Sequence, residues 1–343
     1  MERRDLPWSE LGFDYVQPRF RFQAIWEDGA WSEGELLEDA TIPIEEGACS
    51  IHYGQQCFEG LKAYPGPDGT PLLFRVDQNA ARLQRTAERL LMQPVPTELF
   101  VRGVHEAIRH NLDLLPPPGS GATLYLRPLL LGVGDNLGLR PASRYLFRVF
   151  LSPVGPYFKG GTTGIGLVVS EIDRAAPAGT GGFKAGGNYA GGLLATKRAK
   201  EKGYDEALYL DARERRYLEE AGSANIYGVL PGDPATLVTP RSDSILPSIT
   251  MDSVLVLARE QLGLNVERRP FALSELSSCS ELACTGTAAG IAPVARVHTG
   301  SEELSFLPAP GPVSQELFRL LTGIQHGTLP DPHGWVTRVQ SAS

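Results

Sequence analysis

Cysteine is scarce in this chain: four in 343 residues (Cys49, Cys57, Cys279 and Cys284), with no CxxC pair and no zinc-type spacing. That excludes a disulfide-built small domain and a structural zinc site. It fits a reduced, cytoplasmic protein whose thiols fill apolar space. Histidines are few and scattered; His105 and His110 stand five apart, on different sides of a helix, and make no metal pair. Long apolar runs are missing. The most apolar stretch, Leu124 to Val133, is interrupted by Arg127 and Pro128, so no membrane span is expected. The N-terminus lacks the apolar segment of a signal peptide. No block of one charge sign occurs, and a net charge of −8 argues against nucleic acid and anionic membranes as partners. HExxH, GxSxG, GxGxxG and Walker-type loops are all absent.

What is present is the composition of an ordinary globular protein, 42% hydrophobic and 21% charged, with a length that favours two domains. Apolar periodicity predicts a helix over 78–92 with Asp77 as N-cap, and a second over 98–115 ended by the Pro116–Gly119 cluster. Strand-like runs follow at 123–131 and 145–151. The Gly- and Pro-rich stretch 155–164 reads as a connector between a small N-terminal α+β domain, 1–154, and a larger domain, 165–343, that binds a cofactor. In the second part, strands are predicted at 165–170, 207–210, 225–230 and 236–239. Helices are predicted at 192–202 and 249–262, the latter with Ser248 as N-cap. Strands and helices interleave without regular βα alternation, which predicts an α+β (mixed α/β) fold in two domains.

The most telling stretch is Gly179-Thr-Gly-Gly-Phe-Lys-Ala-Gly-Gly-Asn-Tyr-Ala-Gly-Gly192. Lys184 has apolar neighbours and glycines that let backbone approach a bound molecule. Desolvation favours the neutral amine, a nucleophile, and the aldehyde cofactor that lysines capture as a Schiff base is pyridoxal 5'-phosphate. The same stretch reads equally as a flexible loop with a surface lysine. A pyridoxal phosphate site also needs an acid at the ring nitrogen, a partner for the ring hydroxyl and an anion site. Glu220 supplies the acid, unless Glu219 and Glu220 are a solvated turn pair. Tyr189 supplies the hydroxyl partner, unless it merely starts a helix or strand. The helix start at Leu246–Asp252, with the Thr250 hydroxyl, and the small-residue turn Thr285–Gly290 supply free amides for a phosphate. Arg82 can add a charge-assisted fork, though spacing does not choose among Arg82, Arg85 and Arg89.

These residues resemble the branched-chain amino acid aminotransferases, of the fold-type IV group of pyridoxal phosphate enzymes. The resemblance is carried by Tyr53, Cys57-Phe-Glu-Gly-Leu-Lys-Ala63, Leu73-Phe-Arg75 and Arg82-Leu83. It continues through Leu124-Tyr-Leu-Arg-Pro128, Pro153-Val-Gly-Pro-Tyr-Phe158, Lys184-Ala-Gly-Gly-Asn-Tyr189, Glu220-Ala-Gly-Ser-Ala-Asn225, Ile245-Leu-Pro-Ser-Ile-Thr250 and Thr285-Gly-Thr-Ala-Ala289. These recur in family order over nearly the whole chain. The resemblance implies that Lys184 is the catalytic lysine and forms the Schiff base. It gives the phosphate to Arg82, the amides of Ile249 and Thr250, and Thr287. Tyr189 would meet the ring oxygen and Glu220 the ring nitrogen, with Ser223, threonine in some relatives, keeping a hydroxyl nearby. Tyr53, Phe58, Tyr125, Arg127 and Leu139 would line the substrate pocket, some of them across a homodimer interface, and the Thr287-Ala288 turn would take the substrate carboxylate.

The implied activity is ping-pong transfer of the amino group of L-leucine, L-isoleucine or L-valine to 2-oxoglutarate, giving branched 2-oxo acids and L-glutamate. Arg127 would admit the second carboxylate of glutamate. A CxxC that animal members carry is replaced by Ala289 and Ala292, so thiol regulation of that kind is not expected. The alternatives are another fold-type IV enzyme, a D-amino acid aminotransferase or aminodeoxychorismate lyase, or a non-catalytic nucleotide-binding module.

Overall fold

The computed structural model describes residues 3–157 and 164–340, so the middle of the expected 155–164 connector lies outside the described residues. The chain forms two compact units. The first comprises Met1–Tyr157, Phe183–Gly186 and Gly323–Ser343; the second comprises Phe158–Gly182 and Gly187–Thr322. The sequence reading assigned all of 165–343 to one domain, but two segments of it cluster with the first unit.

In the first unit the strands are β1 (Arg21–Glu27), β2 (Ala30–Trp31), β3 (Glu35–Leu37), β4 (Gln56–Phe58), β5 (Leu61–Pro65), β6 (Pro71–Phe74), β7 (Thr123–Val133) and β8 (Arg144–Val154). The helices are α1 (Cys49–His52), α2 (Val76–Arg89) and α3 (Thr97–Arg109). The long hairpin β7–β8 is the spine of the sheet. β1 continues from β8, while β5 and β4 both pair with β7. Along β7, Leu124, Leu126 and Leu130 turn into the core with Leu83, Phe100, Val104, Ile108 and Phe147, whereas Tyr125 and Arg127 point to the other face. The C-terminal strand, Val336–Arg338, returns to pair with β6, which is why the tail belongs to this unit.

Helix α2 does not start from an Asp77 cap. Arg75 precedes it in the left-handed region at φ 51°, and Asp77 sits in the first turn, where its charge favours the helix dipole. Two sets of buried residues run along α2. Val76, Ala80, Leu83 and Ala87 enter the core; Asn79, Arg82 and Thr86, three and four apart, form a buried polar row. The second helix ends at Arg109 rather than near 115. Asn111 breaks it by turning its buried amide onto the chain before β1: Oδ1 accepts from Phe20 N at 3.0 Å, and Nδ2 donates to Phe20 O at 2.9 Å and Ala107 O at 2.8 Å. Replacing Asn111 with Ala strands these backbone groups and is expected to cost about 2–3 kcal/mol in a denaturant titration.

In the second unit the strands are β9 (Ile165–Val169), β10 (Glu206–Leu210), β11 (Leu218–Ala221), β12 (Ala224–Leu230), β13 (Thr236–Pro240), β14 (Asn265–Arg269), β15 (Glu281–Gly286), β16 (Gly290–His298) and β17 (Glu303–Ser305). Their order is β11-β10-β9-β16-β15-β12-β13-β14, and β11 also pairs with β12, which closes a ring. Strands within the ring have no free edge, while β14 and β17 pair on one side only among the described residues; Leu167, Leu208, Ile226, Leu282 and Val294 belong to the core the ring builds. Parallel pairs β9–β10, β9–β16 and β13–β14 lie beside antiparallel ones, a mixed sheet as the α+β reading expects. Helix α4 (Gly186–Glu201) begins six residues before the predicted 192, so Tyr189 lies in a helix and not in a loop. Helix α5 (Ile249–Glu260) starts as predicted, with Ser248 Oγ accepting from Met251 N at 3.1 Å.

Candidate active site

In the first unit, Lys184 is held by its backbone at both ends. Its N–H donates to Thr86 Oγ1 at 3.1 Å, and its C=O accepts from Phe58 N at 3.3 Å, while Ala185 bridges Cys57. The segment therefore lies as an extra extended piece beside β4, which rules out the flexible-loop reading. A Cβ at Gly186 would lie 2.0 Å from the Gln56 side-chain amide, so a larger residue there would require that flexible side chain to move. The Lys184 amine stands 4.8 Å from the centre of the Phe58 ring. Burial pushes it down to about 8, with Arg82 and Arg127 acting in the same direction and Glu59 and Tyr125 opposing. A lysine so placed is about half nucleophilic amine near that pH.

Of the three candidate arginines on α2, one is buried. Arg85 and Arg89 are exposed, and Arg82 is 6% exposed. Its Nε and one terminal nitrogen fork onto Glu59 at 2.7 and 2.8 Å, and Asn79 donates to the same carboxylate at 2.7 Å. The sequence reading missed Glu59, Asn79 and Thr86; Asn79 and Thr86 stand three and four residues from Arg82 on α2, and nothing local marks Glu59.

On the outer face of β7, the Arg127 guanidinium lies over Phe58 at 4.7 Å and Tyr125 at 5.5 Å. Its Nε is buried with no hydrogen-bond partner among the described residues. Next to it is a cavity of about 380 Å³ lined by Phe13, Tyr125, Arg127, Arg148, Phe150 and Ser152, among others. Phe13 packs edge-on against Tyr125 at 4.9 Å, an N-terminal contact that sequence did not assign. Tyr53 and Leu139 are 44% and 83% exposed, and neither lines that cavity.

In the second unit, Glu219 and Glu220 are both buried on β11, which excludes the solvated turn pair. They serve opposite sides: Glu219 accepts from Ser242 and Ser244, while Glu220 stands 3.3 Å from Arg174 and accepts from Leu246 N. Asn225, across the ladder from Glu220, donates to Leu246 O at 3.1 Å. The two side chains fix the chain just before α5. Ile249 and Thr250 then present first-turn amides, the helix end that favours an anion. Ser223 sits exposed in the β11–β12 turn, and Thr287 and Ala288 in the β15–β16 turn, outside the strand ladders. Arg174, the buried partner of Glu220, was missed because nothing local marks it. Taken unit by unit, Lys184 and the buried Arg82 in the first, and the buried Glu220 and the capped start of α5 in the second, are each of a chemistry that pyridoxal 5'-phosphate can use.

Comparison with known proteins agrees with this chemistry. Residues 56–297 match the family model for class IV amino-transferases. The chain is 47% identical over 344 residues to the branched-chain-amino-acid aminotransferase of Haemophilus influenzae, covering 98% of this chain and 100% of that protein. It is 48% identical over 337 residues to that of Helicobacter pylori, covering 98% of each. A solved structure, the branched-chain amino acid aminotransferase from Escherichia coli, is 27% identical with a TM-score of 0.78, covering 95% of this chain and 100% of that one. The chain thus belongs to the class IV aminotransferases and, within them, to the branched-chain-amino-acid aminotransferases. No helix among the described residues is long and apolar enough to cross a membrane.

Proposed function

We propose that this protein moves the amino group of L-leucine, L-isoleucine or L-valine to 2-oxoglutarate with pyridoxal 5'-phosphate as cofactor. The observation that carries the proposal is Lys184, pinned at both backbone ends and depressed to about 8. When bound, the cofactor supplies an aldehyde carbon for an amine and a ring that accepts electrons. Lys184 offers the amine, and its Nζ as a free base would take the substrate α-proton and return it, a role suited to a base poised near neutral pH. Glu220 would keep a proton at the ring nitrogen, Tyr189 and Ser223 would serve the ring oxygen and its surroundings, and Arg82, the Ile249 and Thr250 amides and Thr287 would hold the phosphate. The Thr287-Ala288 turn takes the substrate carboxylate.

Phe58 and Tyr125 give the apolar wall that burial of a leucine side chain needs, worth a few kcal/mol. Arg127, stacked on both rings, answers the second carboxylate of glutamate and 2-oxoglutarate. Replacing Arg127 with Met is therefore expected to lower kcat/KM for 2-oxoglutarate by about a hundredfold, with the leucine half-reaction changed by less than about threefold. Single-turnover rates of the two half-reactions check this, and equal loss in both would reject the assignment. The exposure of Tyr53 and Leu139 fits a homodimer in which these residues reach the partner's substrate. Four free cysteines, mostly buried, support a cytoplasmic setting. A panel of L-amino acids with 2-oxoglutarate tests the whole reading: turnover of D-alanine or aminodeoxychorismate in place of leucine would overturn it.

A further inference from the structure

The polar row of α2 ends on a group that the functional reading above leaves without a task. Glu59 follows Phe58 at the end of β4 and is 0% exposed. Burial pushes its carboxyl up, but Arg82 outweighs that, aided by Lys184 and Asn79, and the group stays below the ordinary glutamate range. Every oxygen is engaged: Oε1 accepts from Arg82 Nε, and Oε2 accepts from Arg82, Asn79 and the Gly60 N–H at 3.2 Å.

The groups facing Lys184 come from three elements. Phe58 and Glu59 come from the end of β4, Arg82 and Thr86 from α2, and Tyr125 and Arg127 from β7. Two of the charges are cations, and Glu59 is the carboxylate that opposes them. An unbalanced buried cation pair is costly, so removing the anion must act on both partners. We propose that Glu59 is a positioning residue of the reaction: its carboxylate fixes the Arg82 fork on α2 and is the counter-charge that lets the Arg82 guanidinium and the Lys184 amine share one dry region. This rests on the assignment of Lys184 given above. Glutamine at 59 keeps the shape but sets an amide N–H against one of the donors now facing Oε1 and Oε2.

The test uses the apoprotein and pyridoxal, which lacks the phosphate. Capture of its aldehyde by Lys184 is followed by visible absorbance across pH, with Lys184→Ala as the background, including any capture at Lys62, whose amine burial also pushes down to about 8. In the wild type the rate should rise with pH through a midpoint near 8 and level off above it, as the amine loses its proton. In Glu59→Gln the midpoint should fall by about one pH unit, because the charge that favoured the ammonium form is gone. Glu59→Asp, which keeps the charge, should return the midpoint most of the way. A midpoint that stays or rises in Glu59→Gln overturns the proposal. Should that variant fold poorly, Arg82→Gln and the double variant Arg82→Gln with Glu59→Gln repeat the comparison. The double variant must titrate lower than the single, and equal midpoints overturn the proposal. Absence of any Lys184-dependent colour in the wild type would instead reject the lysine assignment.

Discussion

Replacing Lys184 with Ala is expected to lower kcat for leucine transamination by about ten-thousand-fold or more and to abolish the visible absorbance that wild-type protein develops with pyridoxal 5'-phosphate. The size follows from two losses at one atom. The amine that captures the aldehyde goes, and so does the base that shuttles the α-proton. Folding should survive, because the anchors of this segment are backbone: the N–H to Thr86, the C=O from Phe58 and the bridge from Ala185 to Cys57. Removing an amine that the site depresses to about 8 also relieves a desolvation cost, so the apo variant should be at least as resistant to denaturant as the wild type. An active and coloured Lys184→Ala protein would reject the assignment.

Glu220→Gln is expected to lower kcat by about a hundredfold to a thousandfold, with the leucine and 2-oxoglutarate half-reactions falling together. A neutral amide cannot hold a proton on the ring nitrogen, and that nitrogen serves both halves of the reaction. The same change weakens the second unit. Arg174 loses its charged partner, and the Leu246 N–H loses a charged acceptor just ahead of α5, which together should cost about 2–3 kcal/mol. Glu220→Asp retains the charge and should regain stability more fully than activity, since the carboxylate is drawn back from the ring. Rate loss in only one half-reaction would count against a role at the ring nitrogen.

What the sequence made legible was local. The start of α5 needs only Ser248 three residues before Met251 N, a capping signal contained in one turn. The long strands β7 and β8 announced themselves by β-branched and apolar runs. Lys184 stood out because its glycines and apolar neighbours are adjacent in the chain. What stayed hidden depends on pairing across distance. Spacing alone does not tell Arg82 from Arg85 and Arg89, because its partner Glu59 lies twenty-three residues earlier, and Glu220 finds Arg174 forty-six residues before it. The early start of α4 escaped because Gly186, Gly187, Gly191 and Gly192 have low helix propensity, which tertiary context overrode. The return of Val336–Arg338 to β6 has no local signal, and it moved the tail from one unit to the other. The exposure of Leu139 likewise became visible only once the chain was folded.

The central claim is that one amine, Lys184 Nζ, holds the cofactor. Loading the protein with pyridoxal 5'-phosphate, reducing with borohydride and mapping the peptides by mass spectrometry tests it most directly. The expected result is a single phosphopyridoxyl group on Lys184; its appearance on Lys62 or any other lysine, with Lys184 unmodified, would contradict the account.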